Sequence, residues 1–475
     1  MADRDPGANL LANDYTRSLL ASLPESARRV PDTGPQPPAD HESGPAVFEW
    51  ADSGCMWLSG EPGQSPSPHP SSLATCARAT LQAIEARAGR PLPAQLAGAG
   101  LLAERAAISG WNRNGQTSAG GSCRLLKSAD GWLAVNLPRS EDLRLLEAWL
   151  GPELAVGDHG PAPWPTLASA LALRKSKPSV ERARLLGLAV AEVASHGGGR
   201  RPDWHQVAAE GPAAAPPVPG RLPLVVDFSS LWAGPLSSRL LAALGATIIK
   251  IESLGRPDGA RKGPAPFYDL LNGGKQSVAL DFSCDEDRAW LARLVAAADI
   301  VIEASRPRAL AQLGLDAEAW VKARPGRVWL SLSGYGRSEP EANWIAFGDD
   351  AACAAGLAWA GGRDLGYPVF CADAVADPLA GIHAALAALA YWQSGAGVLL
   401  DIALSRVAAH VLSFGQGYEQ ACEVQKTSAG HWLVLTEADA RQVAEPKAPN
   451  MAAAAARLGA DTARVLAGLD QASGL

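Results

Sequence analysis

From Leu224 onward, short apolar runs that suit strands alternate with longer stretches of helical periodicity. No other feature of the chain constrains its fold as tightly. Leu224-Val-Val-Asp-Phe228 is strand-like, Ser237 to Leu244 spaces apolar residues at three and four, and Ala246-Thr-Ile-Ile-Lys-Ile-Glu252 is strand-like again. Strand, helix and strand in that order predict a βαβ unit with parallel strands. The helical stretch Asp285 to Ala298 leads into Asp299-Ile-Val-Ile-Glu303, and another precedes Arg327-Val-Trp-Leu-Ser-Leu-Ser333. A strand-like Tyr367-Pro-Val-Phe370, an apolar helix from Leu379 to Trp392 and a strand from Val398 to Ile402 follow. The expectation is an α/β protein built on a doubly wound, mostly parallel, Rossmann-like sheet, with a second, smaller α+β domain.

The smaller domain is sought upstream. Residues 46–196 read as mostly helical, with amphipathic stretches at Glu141 to Leu150 and Ser179 to Ala194. Between them, two apolar runs flank Asp130-Gly131, a dipeptide suited to a tight hairpin turn. Residues 1–45 mix Pro, Gly, Asp and Ser and read as a mobile leader, and residues 197–223, rich in Gly and Pro, as a linker. A main domain over 224–425 and a less regular tail over 426–475 complete the division.

A formal net charge of -7 offers no broad basic surface to nucleic acid. No apolar stretch reaches the roughly 18 residues that cross a bilayer, and the N-terminus lacks a secretory pattern, so a cytoplasmic location is expected and no membrane partner. The seven cysteines are scattered without metal-ligand spacing and read as reduced thiols; none of the eight histidines has neighbours that suggest a metal. The chain shows neither a phosphate loop ending in Gly-Lys-Ser/Thr nor a dinucleotide fingerprint, which leaves nucleotide hydrolysis and hydride transfer unsupported.

Asp377 stands before Pro378 at the head of the long apolar helix. Such an aspartate is an ordinary helix cap, or a carboxylate presented where free N–H groups and the helix dipole favour negative charge. Asp373 lies in a strand-like alternation and is expected to face a loop or solvent.

The ordered pieces from Leu224 to Val411 resemble the family III CoA-transferases, which include formyl-CoA and carnitine CoA-transferases and related acyl-CoA racemases. The matching pieces are Val225-Val-Asp-Phe228, Ala233-Gly-Pro235, Leu244-Gly-Ala-Thr-Ile-Ile-Lys-Ile-Glu252, Asn272-Gly-Gly-Lys-Gln-Ser277, Arg306-Pro307, Leu313-Gly-Leu315, Ser331-Leu-Ser-Gly-Tyr-Gly336, Ala374-Val-Ala-Asp377 and Ser394-Gly-Ala-Gly397. The resemblance implies that Asp377 is the covalent nucleophile in moving CoA from an acyl-CoA to a small carboxylic acid. It implies CoA thioester as substrate with no permanently bound cofactor, and a homodimer. Ala233, Gly234, Pro235, Asn272, Lys275, Arg306 and Pro307 become candidates for contacting CoA, with Lys275 and Arg306 meeting its phosphates. Racemisation on the same scaffold needs a second acid/base, for which Asp349 or Asp350 stands in; a CoA-binding protein of weak activity is a third reading.

Gly54, Trp57 and Gly60 repeat the spacing of Gly356, Trp359 and Gly362, and both segments resemble the same family stretch. Continuing that alignment sets Thr75 opposite Asp377, so the first copy lacks a nucleophile. The hairpin at Asp130-Gly131 resembles the family's small domain placed ahead of the sheet instead of behind the aspartate, with Ser118-Ala-Gly-Gly121 as a candidate glycine loop.

Overall fold

The Asp130-Gly131 turn closes the expected hairpin, between β1 (Cys123–Lys127) and β2 (Trp132–Asn136). A third strand, β3 (Ala189–Glu192), joins β2 antiparallel. The computed structural model describes residues 8–28, 44–154, 161–195, 201–450 and 453–473. His159, His196 and the leader stretches at 1–7 and 29–43 lie outside the described residues.

The main sheet adds β4 (Gln206–Gly211), β5 (Leu224–Asp227), β6 (Thr247–Ser253), β7 (Gln276–Leu280), β8 (Ile300–Glu303), β9 (Val328–Ser333) and β10 (Gly397–Ala403). Their spatial order is β4-β10-β9-β8-β5-β6-β7, with every pair parallel except β4 against β10. From β5 the chain winds outward through β6 and β7, returns to β8 on the other side of β5, and continues through β9 to β10. That reversal leaves a crevice beyond the carboxyl ends of β5 and β8, where open α/β sheets bind ligands. Alternate residues serve opposite faces, as a strand buried on both sides requires. Val225, Ile300, Ile302, Val328 and Leu400 join one core; Val226, Val301, Trp329 and Leu399 join the other.

The Ala376–Ser394 helix lies within the first core, buried along nearly its whole length. Its alanine-rich sequence favours helix and lets neighbours approach closely; at Gly381 an added methyl would meet the Ala233 carbonyl oxygen at 2.6 Å. Gly395, at φ 74°, ends it in the left-handed conformation that costs glycine least.

Several expectations need correction. Ala8–Ser22 and Glu25–Arg28 are helices, so the leader reading fails there. Leu11, Tyr15, Leu19 and Leu23 recur every fourth position and are buried in the first core, a helical stripe hidden among polar residues. The linker contains β4, the antiparallel edge strand, and Trp204 just before it is buried. The region 46–196 does not separate cleanly, because residues from Ala46 to Ala106 share the first core with the main sheet, whereas a distinct core gathers Leu126, Leu133, Trp149, Leu167 and Val190. Glu141–Leu150 is split into Ser140–Arg144 and Leu146–Leu150. The helix expected from Ser179 to Ala194 spans Ser176–Leu186, stops at left-handed Gly187 and gives way to β3. Tyr367–Phe370 forms no strand. The tail is more regular than expected, with β11 (Glu423–Lys426), β12 (Trp432–Leu435) and β13 (Ala440–Gln442) as a small antiparallel sheet and a helix at Thr462–Ser473.

The two segments of like spacing fold into like elements. Helices Ala46–Asp52 and Gly348–Ala354 are offset by the same number of positions as left-handed Gly54 (φ 80°) and Gly356 (φ 94°). The following helices, Ser72–Ala88 and Ala376–Ser394, pack against each other. Thr75, opposite Asp377 in this alignment, is fully buried with its hydroxyl unpartnered.

Candidate active site

Asp377 occupies the first turn of its helix but does not cap it: Val375 holds the cap position without a side-chain bond. The Asp377 carboxylate instead reaches across to the backbone N–H of Gly348, which donates to Oδ2 at 3.0 Å. The approach is so close that a methyl group on Gly348 would collide with both this carboxylate and the Ala374 carbonyl oxygen, which makes glycine necessary there. The exchange is reciprocal, since the Ala374 N–H donates to Asp349 Oδ1 at 3.0 Å.

Asp373 corrects the solvent-facing expectation. It is fully buried and gripped by the Arg105 fork, Nε to Oδ2 at 2.8 Å and Nη2 to Oδ1 at 2.6 Å. A bidentate pair of this kind is among the stronger charge-assisted contacts. The same guanidinium lies over the rings of Trp232 (4.7 Å) and Trp111 (5.3 Å). Asp350 accepts from Asn136 Nδ2 at 3.0 Å and from the Phe347 N–H at 2.9 Å.

Three carboxyl groups, Asp349, Asp373 and Asp377, therefore act on one arginine, and the fourth, Asp350, lies beside Asp349 and Asp377. Burial pushes Asp377 up to about 7; Arg105 and the Gly348 N–H pull the other way, while Asp350 and Asp373 add to the rise. Burial first, and a neighbouring carboxylate after it, also hold Asp349 and Asp350 at about 7. Of the four, Asp377 is the most accessible.

What it faces is a cavity of about 230 Å³ lined by Arg105, Trp111, Trp232, Phe267, Asp349 and Asp377 among others. Trp232 follows β5, so the cavity opens at the sheet's topological crevice. Ser109, Ser122, Asn136 and Pro138, all from the N-terminal half, complete its wall. Sequence reasoning missed this half's contribution. Arg105-Ala-Ala-Ile-Ser-Gly-Trp111 sits on a short helix with no motif of its own, and only the chain's folding back brings it to Asp377. Gly120, in the candidate glycine loop, sits against the Trp111 ring, 3.0 Å from its nearest atom to where a side chain would begin.

Three residues other than glycine adopt positive φ among the described residues: Leu231 (69°), Ala372 (54°) and Ala374 (42°). Leu231 and Ala374 line the cavity and Ala372 precedes Asp373. Strain of this kind persists where the surroundings over-determine the backbone, as they do at functional sites.

The remaining candidates lie differently. Ala233, Gly234 and Pro235 form the buried first turn of the Ala233–Ala243 helix, where Gly234 makes room for the Ser229 side chain. Lys275, expected at CoA phosphates, is buried, and its Nζ donates to Pro235 O at 3.0 Å, Ser238 Oγ at 2.7 Å and Asn272 Oδ1 at 2.9 Å and pairs with Asp227 at 3.3 Å. Desolvation lowers its pKa to about 8. It ties the end of β5 to the first turns of the Ala233–Ala243 helix, and Asn272, also buried, braces it in turn. Arg306 is exposed, with Pro307 opening the next short helix. Its proton is held less tightly because part of the side chain is desolvated and then because of the nearby charges of Arg308, Arg139 and Arg256. That positive group stands near the cavity, since Arg139 also lies 6.0 Å from the Phe347 ring. His383 is buried, bonded to Tyr15 Oη at 2.7 Å, far from any reactive role. No helix among the described residues is long and apolar enough to cross a membrane.

Residues 224–432 match the family model described as CoA-transferase family III. Succinate–glutarate CoA-transferase of Agrobacterium fabrum is 32% identical over 219 residues, covering 42% of this chain and 54% of that protein. Succinyl-CoA–D-citramalate CoA-transferase of Chloroflexus aurantiacus is 31% identical over 191 residues, covering 38% and 48%. Formyl-CoA:oxalate CoA-transferase of Escherichia coli is 30% identical over 173 residues, covering 35% and 42%. The chain thus spans about half the length of the curated relatives it matches. A solved CAIB/BAIF family protein from Brucella suis aligns with a TM-score of 0.41 at 26% identity, covering 46% of this chain and 66% of that one. The segment from Leu224 to Trp432, which carries β5 to β10 of the main sheet and Asp377, is thus the part of the chain that matches CoA-transferase family III.

Proposed function

We propose that the protein moves CoA from an acyl-CoA to a free carboxylic acid through a covalent intermediate on Asp377. One observation carries this reading: the Asp377 carboxylate leaves its own helix uncapped and stands in the wall of a cavity, fixed by the Gly348 N–H. Its oxygen attacks the thioester carbonyl, and the C–S bond breaks to give a mixed anhydride and CoA thiolate. The thiolate then attacks the aspartyl carbonyl and releases the first acid as its carboxylate, leaving CoA on Asp377. The acceptor carboxylate attacks this aspartyl thioester, the thiolate departs, and its return to the acceptor's carbonyl frees Asp377. No net proton moves. Thioester energy is kept throughout, provided water stays out of the anhydride stage; the aromatic walls and the N-terminal half that closes over the site serve that exclusion. Arg306 and the arginines near it suit the phosphates of CoA.

The test is to incubate the protein with acyl-CoAs, quench with hydroxylamine or borohydride, and map the modified residue by mass spectrometry. Modification at Asp377, absent in Asp377→Asn, is the expected result; modification elsewhere defeats the proposal. Asp349 beside Asp377 favours a second reading, α-proton exchange on a bound acyl-CoA. Solvent deuterium appearing at the α-carbon without acid exchange would select it.

A further inference from the structure

Whatever acyl group is attacked by Asp377 must lie in the cavity that this carboxylate lines, so the walls of that cavity describe the acid. Four rings form them: Trp111, Trp232, Phe267 and Phe347, with Leu231 at the rim. Trp232 and Phe267 meet edge to face, their centroids 5.4 Å apart at 88°, and both are buried, so this wall is held in place before any ligand arrives. Among the described lining residues Arg105 is the one cation, and its charge is already engaged by the fully buried Asp373 and by two indole faces. The other charged lining groups, Asp349 and Asp377, are acids. A second carboxylate on the substrate would enter a low-dielectric space facing acids, with no uncommitted cation among the lining residues to meet it. An apolar ring faces no such penalty. The volume of about 230 Å³ exceeds the ~150 Å³ apolar cavity known to accept benzene, which leaves space for the thioester carbonyl.

Resting on the proposed acyl transfer, we infer that the acyl group handled at Asp377 is apolar, an aryl or branched-chain monocarboxylic acid, and that di-acids are excluded. This sets the chain apart from relatives whose names specify succinate, glutarate or oxalate.

The experiment compares initial rates of Asp377 modification by benzoyl-CoA, isobutyryl-CoA, succinyl-CoA and glutaryl-CoA on the full chain. Benzoyl-CoA or isobutyryl-CoA is expected to lead the di-acid esters by roughly tenfold or more, the scale on which a shaped apolar pocket discriminates. Succinyl-CoA or glutaryl-CoA reacting as fast or faster overturns the inference and leaves the transfer chemistry standing. Calorimetric binding of the same four esters to Asp377→Asn separates the two ideas. Tighter binding of the apolar esters without modification of the native chain upholds the cavity assignment and removes the transfer reading; equal binding or tighter di-acid binding without modification overturns both. Leu231→Arg, at an exposed rim position, places a free cation on the wall without disturbing buried packing and is expected to narrow the preference several-fold; an unchanged preference would refute the charge argument.

Discussion

Asp377→Asn should make the protein more stable, and only at the pH where the native residue is charged. Burial and two neighbouring carboxyls lift Asp377 from 3.8 to about 7, so the folded chain holds this proton about a thousandfold more tightly than the unfolded chain does. At ~1.4 kcal/mol per tenfold, ionising Asp377 above pH 7 costs the fold up to ~4 kcal/mol. Because Asp349 and Asp350 share the same enclosure and Asp377 keeps some contact with the cavity, we expect ~2 kcal/mol to be expressed. The sign follows from proton counts: between about pH 4 and pH 7 the native state binds more protons than the unfolded state, so stability falls as pH rises through that window. Asparagine is nearly isosteric, can still accept the Gly348 N–H and never ionises. Urea unfolding of both proteins at pH 4.5, 6 and 8 should therefore show near-equal midpoints at the lowest pH and a lead for the variant that opens toward pH 8. Equal stability at all three, or a variant weaker at pH 8, would show that the enclosure does not burden the charged carboxylate as argued.

Modification of Asp377 by acyl-CoA should climb about tenfold per pH unit below 7 and level off above it, because only the ionised form attacks; pre-steady-state quench experiments across pH 5.5 to 8.5 check this. Arg105→Ala strands the buried Asp373 and should cost ~3–5 kcal/mol in unfolding free energy, part of which Arg105→Ala with Asp373→Ala recovers. Leu19→Ala, in the helix once read as a mobile leader, removes a fully buried side chain and should cost ~2–5 kcal/mol by the same measurement.

The sheet was legible because strands buried on both faces must be continuous apolar runs, and runs such as Leu224–Asp227 and Ile300–Glu303 have no other use. The hairpin at Asp130-Gly131 was legible because its turn chemistry is local. Helix 8–22 was missed because its stripe is one residue wide, and β3 because Leu188-Ala-Val-Ala191 carries the apolar character of the preceding helix on past Gly187, where that helix ends. At the site, Asp377, Asp349, Asp350 and Asp373 each drew notice in the sequence, yet the burial of Asp373 against Arg105 did not. Arg105 and Asp373 are far apart in sequence, and a pair of that kind leaves no periodic trace. A lone lysine beside glycines, such as Lys275, reads as a ligand contact in sequence, and the partners that Asp227, Ser238 and Asn272 supply inside the fold leave no local trace there.

The cavity wall at Ser109, Trp111, Ser122 and Asn136 belongs to the same polypeptide as the aspartate it encloses. A tethered wall is present at an effective concentration set by the chain's own connectivity, not by how many molecules share the solution. Turnover per molecule drawn from these residues should therefore survive dilution into the nanomolar range, where a pocket assembled from separate subunits would come apart.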